Sequence, residues 1–399
     1  MNKSRVVHLT KKMHIYGLVR LFYISLLKIR DECRNKIIRI MPICANKIVF
    51  INFNGKGYGC NPKYIAQEII RQKLPVDMVW LVSDMDEPMP SEIRKVKWGS
   101  YEAKKELSTA RIWVKNVKNF TEVKKRKGQF YIQTWHGNMP LKYVEQDAEK
   151  DLPISYVKES KQEGKMIDIM LAGCKRKEEL IATKFWYSGR IMTVGNPRND
   201  IFFKNLKETR LKVINYFQIE KELKIVLFAP TFRNTEDETV YELDRKQILA
   251  ALKKRFGYRY IMIKRLHPNV IKRQYEEQCR EEIDATDYPD MQELLVAADI
   301  LITDYSGCMY DFSLMKKPVF LIGKDLEQYT KRERGMYTDV RSLPFPFAKN
   351  ERQLVENIIG FDNDKYLKEL QQLWDQLGSF DCGNASEQVV DEIKKVLNR

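Results

Sequence analysis

An α/β fold, two doubly wound parallel-sheet domains facing a cleft, is the architecture that this sequence predicts from three observations. The chain has 399 residues, whereas single domains usually run to about 100–200. Hydrophobic residues make up 44% of it, enough for sizeable cores and too many for a disordered chain. From Lys47 onward short apolar runs alternate with helical stretches, the pattern of parallel strands covered on both faces by crossover helices.

The first element is a basic arm, residues 1–46. Residues 1–47 hold eleven Lys and Arg against Asp31 and Glu32, which is +9 of the chain's net +16. Ile15, Leu18, Phe22, Leu26 and Ile29 recur at helical spacing, and Arg20, Ser25, Lys28 and Asp31 fall largely elsewhere, so an amphipathic helix is expected. Flanking bases and the aromatics Tyr16, Phe22 and Tyr23 suit a helix lying on an anionic leaflet; the alternative is a basic helix packed on the protein's own body. The apolar stretch Leu21–Leu27 lies between Arg20 and Lys28 with no small-residue cleavage site after it, unlike a secretory signal. No run of 18 uncharged apolar residues occurs, so no transmembrane helix is expected. Seven scattered cysteines without a C-x-x-C pair read as reduced thiols rather than a disulfide framework. Peripheral attachment to the cytoplasmic face of the cell membrane follows as the expectation. Charge concentrated at one end argues against a nucleic-acid coat.

The strands expected next are Ile48–Phe53, Met78–Val82, Arg111–Val114, Phe130–Thr134, Ile167–Leu171 and Ile191–Val194, then Lys224–Phe228, Tyr260–Lys264, Ile300–Thr303 and Pro318–Ile322. Helical periodicity marks Pro62–Gln72, Lys175–Phe185, Arg245–Phe256, Met291–Ala298 and Cys308–Lys316. A charged helical stretch near Asn199–Glu222 without a strong strand places the junction, giving domains 47–210 and 211–399, the second closed by polar helices from about Glu351.

Ligands of such sheets bind outside the C-terminal ends of the strands, so residues directly after strands carry the information. His8 and His14 belong to the arm, and the other two histidines, His136 and His267, each follow a strand, one per domain. Imidazole at such positions suits proton transfer or, when charged, an oxyanion. Basic and small residues gather at the same rims in Gly195-Asn196-Pro197-Arg198, Ala229-Pro230-Thr231-Phe232-Arg233 and Lys264-Arg265-Leu266-His267. Gly55-Lys56-Gly57-Tyr58-Gly59 is either a phosphate loop or a turn needing positive φ. Ile300–Thr303 runs into Asp304-Tyr305-Ser306-Gly307 and then a helix, where Ser306 would cap the helix end and Asp311 would face the cleft. Asp84-Met85-Asp86 and Asp362-Asn363-Asp364 have D-x-D spacing but no companion ligand. No metal or other cofactor is expected: Arg, Lys, His and helix ends would neutralise phosphates.

Taken in order, Asn54–Pro62, Thr134-Trp135-His136-Gly137, Gly195-Asn196-Pro197-Arg198, Ala229–Arg233, Arg265-Leu266-His267-Pro268, Asp304-Tyr305-Ser306 and Arg334-Gly335-Met336-Tyr337 resemble the CDP-glycerol glycerophosphotransferase family of teichoic-acid primases and polymerases. The resemblance implies a GT-B fold of two Rossmann-like domains and transfer of glycerol phosphate from CDP-glycerol to a hydroxyl of a lipid-linked acceptor, with CMP leaving. It puts His136, with Gly137, Asn138, Met139 and Pro140, beside the transferred phosphate as general base. Arg265, Leu266 and His267 would flank the pyrophosphate, and Arg198, Pro230, Thr231, Arg233, Ser306, Gly307 and Asp311 would hold the donor. Either histidine could be the base on pattern alone. Gly307 stands where the family commonly has a second serine, which removes one hydroxyl contact. CDP-ribitol chemistry, a GT-B nucleotide-sugar transferase and a non-enzymatic basic membrane- or nucleic-acid-binding protein are the competing readings.

Overall fold

The computed structural model describes scattered positions between 20 and 40, then residues 41–118, 123–137, 139–233, 239–267, 270, 282–332 and 335–398. The first sheet contains β1 (Cys44–Ile51), β2 (Asp77–Val82), β3 (Ile93–Lys97), β4 (Ala110–Lys115), β5 (Phe130–Gln133), β6 (Ile169–Ala172) and β7 (Arg190–Thr193). Its order is β3-β2-β1-β4-β5-β6-β7, and every pairing is parallel. The second contains β8 (Lys224–Ala229), β9 (Tyr260–Lys264), β10 (Glu282–Asp284), β11 (Ile300–Thr303), β12 (Val319–Ile322) and β13 (Phe347–Ala348), ordered β10-β9-β8-β11-β12-β13 and again parallel. Helices that matter below are α1 (Cys60–Arg71), α2 (Tyr101–Thr109), α3 (Ile154–Gly164), α4 (Lys175–Lys184), α5 (Leu206–Phe217), α6 (Arg245–Phe256), α7 (Met291–Ala297) and α8 (Cys308–Ser313). They continue with α9 (Leu326–Arg332), α10 (Glu351–Ile359), α11 (Asn363–Leu377) and α12 (Ala385–Leu397).

Central strands covered on both faces need continuous apolar runs, and Ile48-Val49-Phe50-Ile51 in β1 and Leu301-Ile302 in β11 have no exposed surface. Each of the ten strands that the apolar runs predict is present, with ends displaced by a few residues; β1 begins four residues before Ile48. The pattern missed β3, β10 and β13, all at or next to a sheet edge. In β3 only Ile93 is buried, so the strand carries no apolar run to read.

The C-terminal helices divide between the domains. Tyr366 of α11 packs on Phe361 and donates to the Lys317 carbonyl at 2.8 Å, on the second sheet's side. The chain then crosses back: Lys175 N donates to Gly378 O at 2.9 Å and Phe380 N to Gly173 O at 2.8 Å. Gly378 ends α11 at φ +62, and a Cβ there would fall 2.9 Å from the Lys175 side chain, so only glycine fits. Val389, Val390, Ile393 and Val396 of α12 join one apolar cluster with Ile48, Phe50, Ile65 and Ile69. A division at residue 210 does not anticipate this: the last helix completes the first domain.

Of the arm, most of the expected stripe lies outside the described residues. Leu21, Phe22 and Tyr23 are exposed, while Ile38 is buried and its carbonyl accepts from Ser108 Oγ at 3.0 Å. No helix among the described residues is long and apolar enough to cross a membrane.

Candidate functional site

In the first sheet the strand order reverses between β1 and β4, so the loops after them diverge and open a crevice. Asn116, fully buried just past β4, organises that crevice. Its side chain donates to Asn52 Oδ1 at 2.7 Å and accepts from Phe53 N at 2.8 Å. Asn52 Nδ2 in turn donates to the carbonyls of Lys56 and Gly57 at 2.8 and 3.2 Å. The loop is a turn of left-handed residues, with φ +39 at Phe53, +61 at Asn54, +88 at Gly55 and +68 at Gly57. At Gly55 a Cβ would lie 2.8 Å from Trp98 Cβ, which excludes any side chain.

His136 follows β5, the neighbour of β4. Its Nδ1 lies 2.9 Å from the Asn116 carbonyl. A carbonyl can only accept, so Nδ1 carries the proton and the neutral ring has its basic lone pair on Nε2. The imidazole stacks on Trp135 with centroids 4.5 Å apart and meets the edge of Phe53 at 5.4 Å. Trp135 has φ +55, a strained conformation of the kind that clusters at functional sites. It is held by Asn61 Nδ2, which donates to the Trp135 carbonyl at 2.9 Å, and Arg198 Nη1 donates to the His136 carbonyl at 2.7 Å. Of the residues expected beside His136, Gly137 and Pro140 are half-buried, Met139 is buried in the core, and Asn138 lies outside the described residues.

Arg198 and Asp311, both expected to hold the donor, pair with each other across the two domains. Asp311 is buried and also accepts from Asn199 Nδ2 at 3.2 Å and Gln292 Nε2 at 3.1 Å. Burial works against the Arg198 cation, but Asp311 and the nearby Cys60 more than offset it and hold the charge in place. Both Asp311 oxygens are therefore engaged at the domain junction. Lys63 of α1 extends the junction, donating to Asp290 at 2.5 Å and Glu293 at 2.9 Å.

The second sheet reverses between β8 and β11, and the loops after them again build the rim. Asp304 accepts from Thr231 N at 2.9 Å, Thr231 Oγ1 at 2.5 Å and Tyr305 N at 2.6 Å. Arg233 is buried, donating to Asp304 at 2.9 Å and Asp325 at 2.7 Å between the faces of Tyr305 and Tyr329. Its guanidinium, expected to help hold the donor, braces Asp304 and Asp325. Pro230 is buried and Thr231 half-buried beside it. Ser306 Oγ accepts from Cys308 N at 3.4 Å, and Gly307 occupies the helix cap position expected for Ser306. A Cβ on Gly307 would sit an ordinary 3.7 Å from the Met139 carbonyl, so the two walls meet here and a serine would fit.

Beyond β9, Leu266 is buried and Arg265 half-buried. Arg265 Nη1 is buried and has no hydrogen-bond acceptor among the described residues. Burial lowers its pKa, which Asp290, Tyr288 and Cys308 offset only in part. A buried cation lacking an acceptor suits an incoming phosphate oxygen. His267 is partly open to solvent, yet the atoms around it, and then Lys142, Lys56 and Arg265, push its pKa below the usual histidine value. Lys142 and Lys56 belong to the first domain, so cations from both walls converge on His267. Sequence reasoning missed both lysines; Lys56 had a signal in its glycine loop, Lys142 had none. The walls also join where Lys142 bridges Met336, with Tyr143 N donating to Gly335 O at 2.8 Å. Among the described residues no cluster of three His, Cys, Asp or Glu could hold a metal. Asp84 closes a turn on Asp86 N at 3.0 Å, and Asp362 caps α11.

Residues 33–395 match the family model described as CDP-Glycerol:Poly(glycerophosphate) glycerophosphotransferase. The chain is 29% identical over 380 residues to the teichoic acid poly(glycerol phosphate) polymerase of Bacillus spizizenii, covering 90% of this chain and 94% of that one. It is 30% identical over 365 residues to the same-named polymerase of Staphylococcus epidermidis, covering 87% of this chain and 50% of that protein. The chain thus spans about half the length of the second relative. Among solved structures, a His-to-Asn variant of the wall teichoic acid polymerase TagF soaked with CDPG superposes with a TM-score of 0.81 at 27% identity, covering 95% of this chain and 98% of that one. The two parallel-sheet α/β domains are those of a GT-B fold.

Proposed function

Since the chain belongs to the CDP-glycerol:poly(glycerophosphate) glycerophosphotransferase family, we propose that it transfers glycerol phosphate from CDP-glycerol to a hydroxyl of a lipid-linked acceptor, releasing CMP, in teichoic-acid or related wall-polymer synthesis. The observation that carries this reading is His136, its Nδ1 proton fixed on the Asn116 carbonyl, on the wall opposite a cationic rim of Arg265 and His267. The acceptor oxygen attacks the phosphorus bearing glycerol, and its proton passes to His136 Nε2. The bond from that phosphorus to the CMP oxygen breaks, and Arg265 and His267 stabilise the charge that develops on CMP. His267 starts neutral near pH 7 because its surroundings lower its pKa; two adjacent phosphates would favour its charged form. Lys56 and Lys142 would add to this neutralisation, and the reading needs no cofactor.

Met139 and Leu266 serve by packing, whereas Gly137, Pro140, Thr231, Ser306 and Gly307 would shape the donor pocket. Arg198, Arg233 and Asp311 would act indirectly, by holding the loops and the two walls together. The basic arm would rest on the anionic cytoplasmic leaflet, near a lipid-linked acceptor. The test is CMP release by purified protein with CDP-glycerol and membrane acceptor, with CDP-ribitol and a UDP-sugar in parallel. His136→Ala and His267→Ala are each expected to lower turnover by roughly 10²–10⁴-fold. Preference for CDP-ribitol would change the alditol, and release of UDP alone would contradict the proposal.

A further inference from the structure

Lys177 lies on the inward face of α4 with Leu180 and Ile181, all three buried. Apolar side chains are the ordinary occupants of such a stripe. Its Nζ has no hydrogen-bond partner among the described residues. It lies 5.1 Å from the Trp135 ring centroid and 4.5 Å from that of Phe185, and Phe185 meets Trp135 edge-on at 4.8 Å. A methionine would fill the same space without the cost of burying an amine, so packing alone does not account for a lysine here. The ring that it touches is the one on which His136 stacks.

We propose that Lys177 is a positioning residue, its amine held against Trp135 so that this ring, and the His136 imidazole stacked on it, keep one orientation. The inference rests on the reading of His136 as the base. Aromatic faces attract an ammonium, and among the described residues no carboxylate hydrogen-bonds to this one. Glu145, the acid that acts on Lys177, accepts from Lys118 at 3.0 Å, from Tyr156 at 2.6 Å and from Ser160. The other groups acting on Lys177 are Cys174, which caps its helix, and the cations Lys118 and Arg198. Burial draws the Lys177 pKa down to about 7, so the amine is charged below neutrality and uncharged above it.

The experiment uses the full chain labelled with ¹⁵N-histidine, in which His136→Asn identifies the His136 signals. In Lys177→Met the thermal midpoint should hold or rise, because no amine is buried. The His136 nitrogen shifts should move away from a single Nδ1–H tautomer. Turnover should fall about tenfold with KM for CDP-glycerol little changed, as expected when orientation rather than binding is lost. In Lys177→Met with Trp135→Phe the losses should be less than additive. Unchanged His136 signals with wild-type turnover in Lys177→Met would overturn the proposal, and so would activity lost only in proportion to stability. If His136→Ala keeps turnover, the base assignment fails by itself; displaced His136 signals in Lys177→Met would still support the positioning.

Discussion

Asn116 and Asp304 occupy equivalent places, each at or beside the point where its sheet reverses, and each ties a neighbouring rim loop with several hydrogen bonds. The two histidines were legible because a titratable ring directly after an apolar strand is visible in one dimension. The side-chain partners of Arg233 and Asp311 were not, because Asp325 and Arg198 lie 92 and 113 positions away. His267 yields a pH prediction. Its folded pKa is lowered, so the unfolded chain takes up the proton first as pH falls. Its contribution to stability is therefore whole above about pH 6.5 and declines through the folded pKa below it. Thermal midpoints of His267→Gln between pH 7 and 5 should fall less steeply than those of the wild type; parallel curves would show that the shift is absent.

Among the elements, α12 is the one whose role the sequence conceals. Its period is plain, yet nothing local says that a helix beginning at Ala385 covers β1, more than 330 residues earlier. Ile393→Ala should cost about 2–5 kcal/mol, the usual range for a fully buried aliphatic side chain. Hydrogen exchange should then quicken in β1 and α1 while β8 and β11 keep their protection. Equal loosening of both sheets would place α12 in a shared core instead. The strands β3, β10 and β13 escaped prediction for the opposite reason: sheet margins are short or polar and leave no apolar run.

On the scale of the molecule, the two α/β domains were readable from alternation alone, whereas their junction was not. Arg198 with Asp311, Lys63 with Asp290 and Glu293, and the strand-like bridge of Lys142 to Met336 join side chains that are distant in sequence and hold the two rims in register. The charge asymmetry also belongs to this scale, since +9 of the +16 sits in the first 47 residues. The full chain should sediment with vesicles rich in anionic lipid at low salt and be released as ionic strength rises, while a chain lacking residues 1–40 should stay in solution. Equal sedimentation of both would remove the arm from the account. The central claim is the transfer itself, and the measurement closest to it is CMP formed against glycerol phosphate incorporated, in wild type and His136→Ala, with CDP-glycerol and a membrane acceptor. The account predicts one CMP for each glycerol phosphate transferred in the wild type and near-complete loss of both in the variant. CMP release by His136→Ala at the wild-type rate would contradict it.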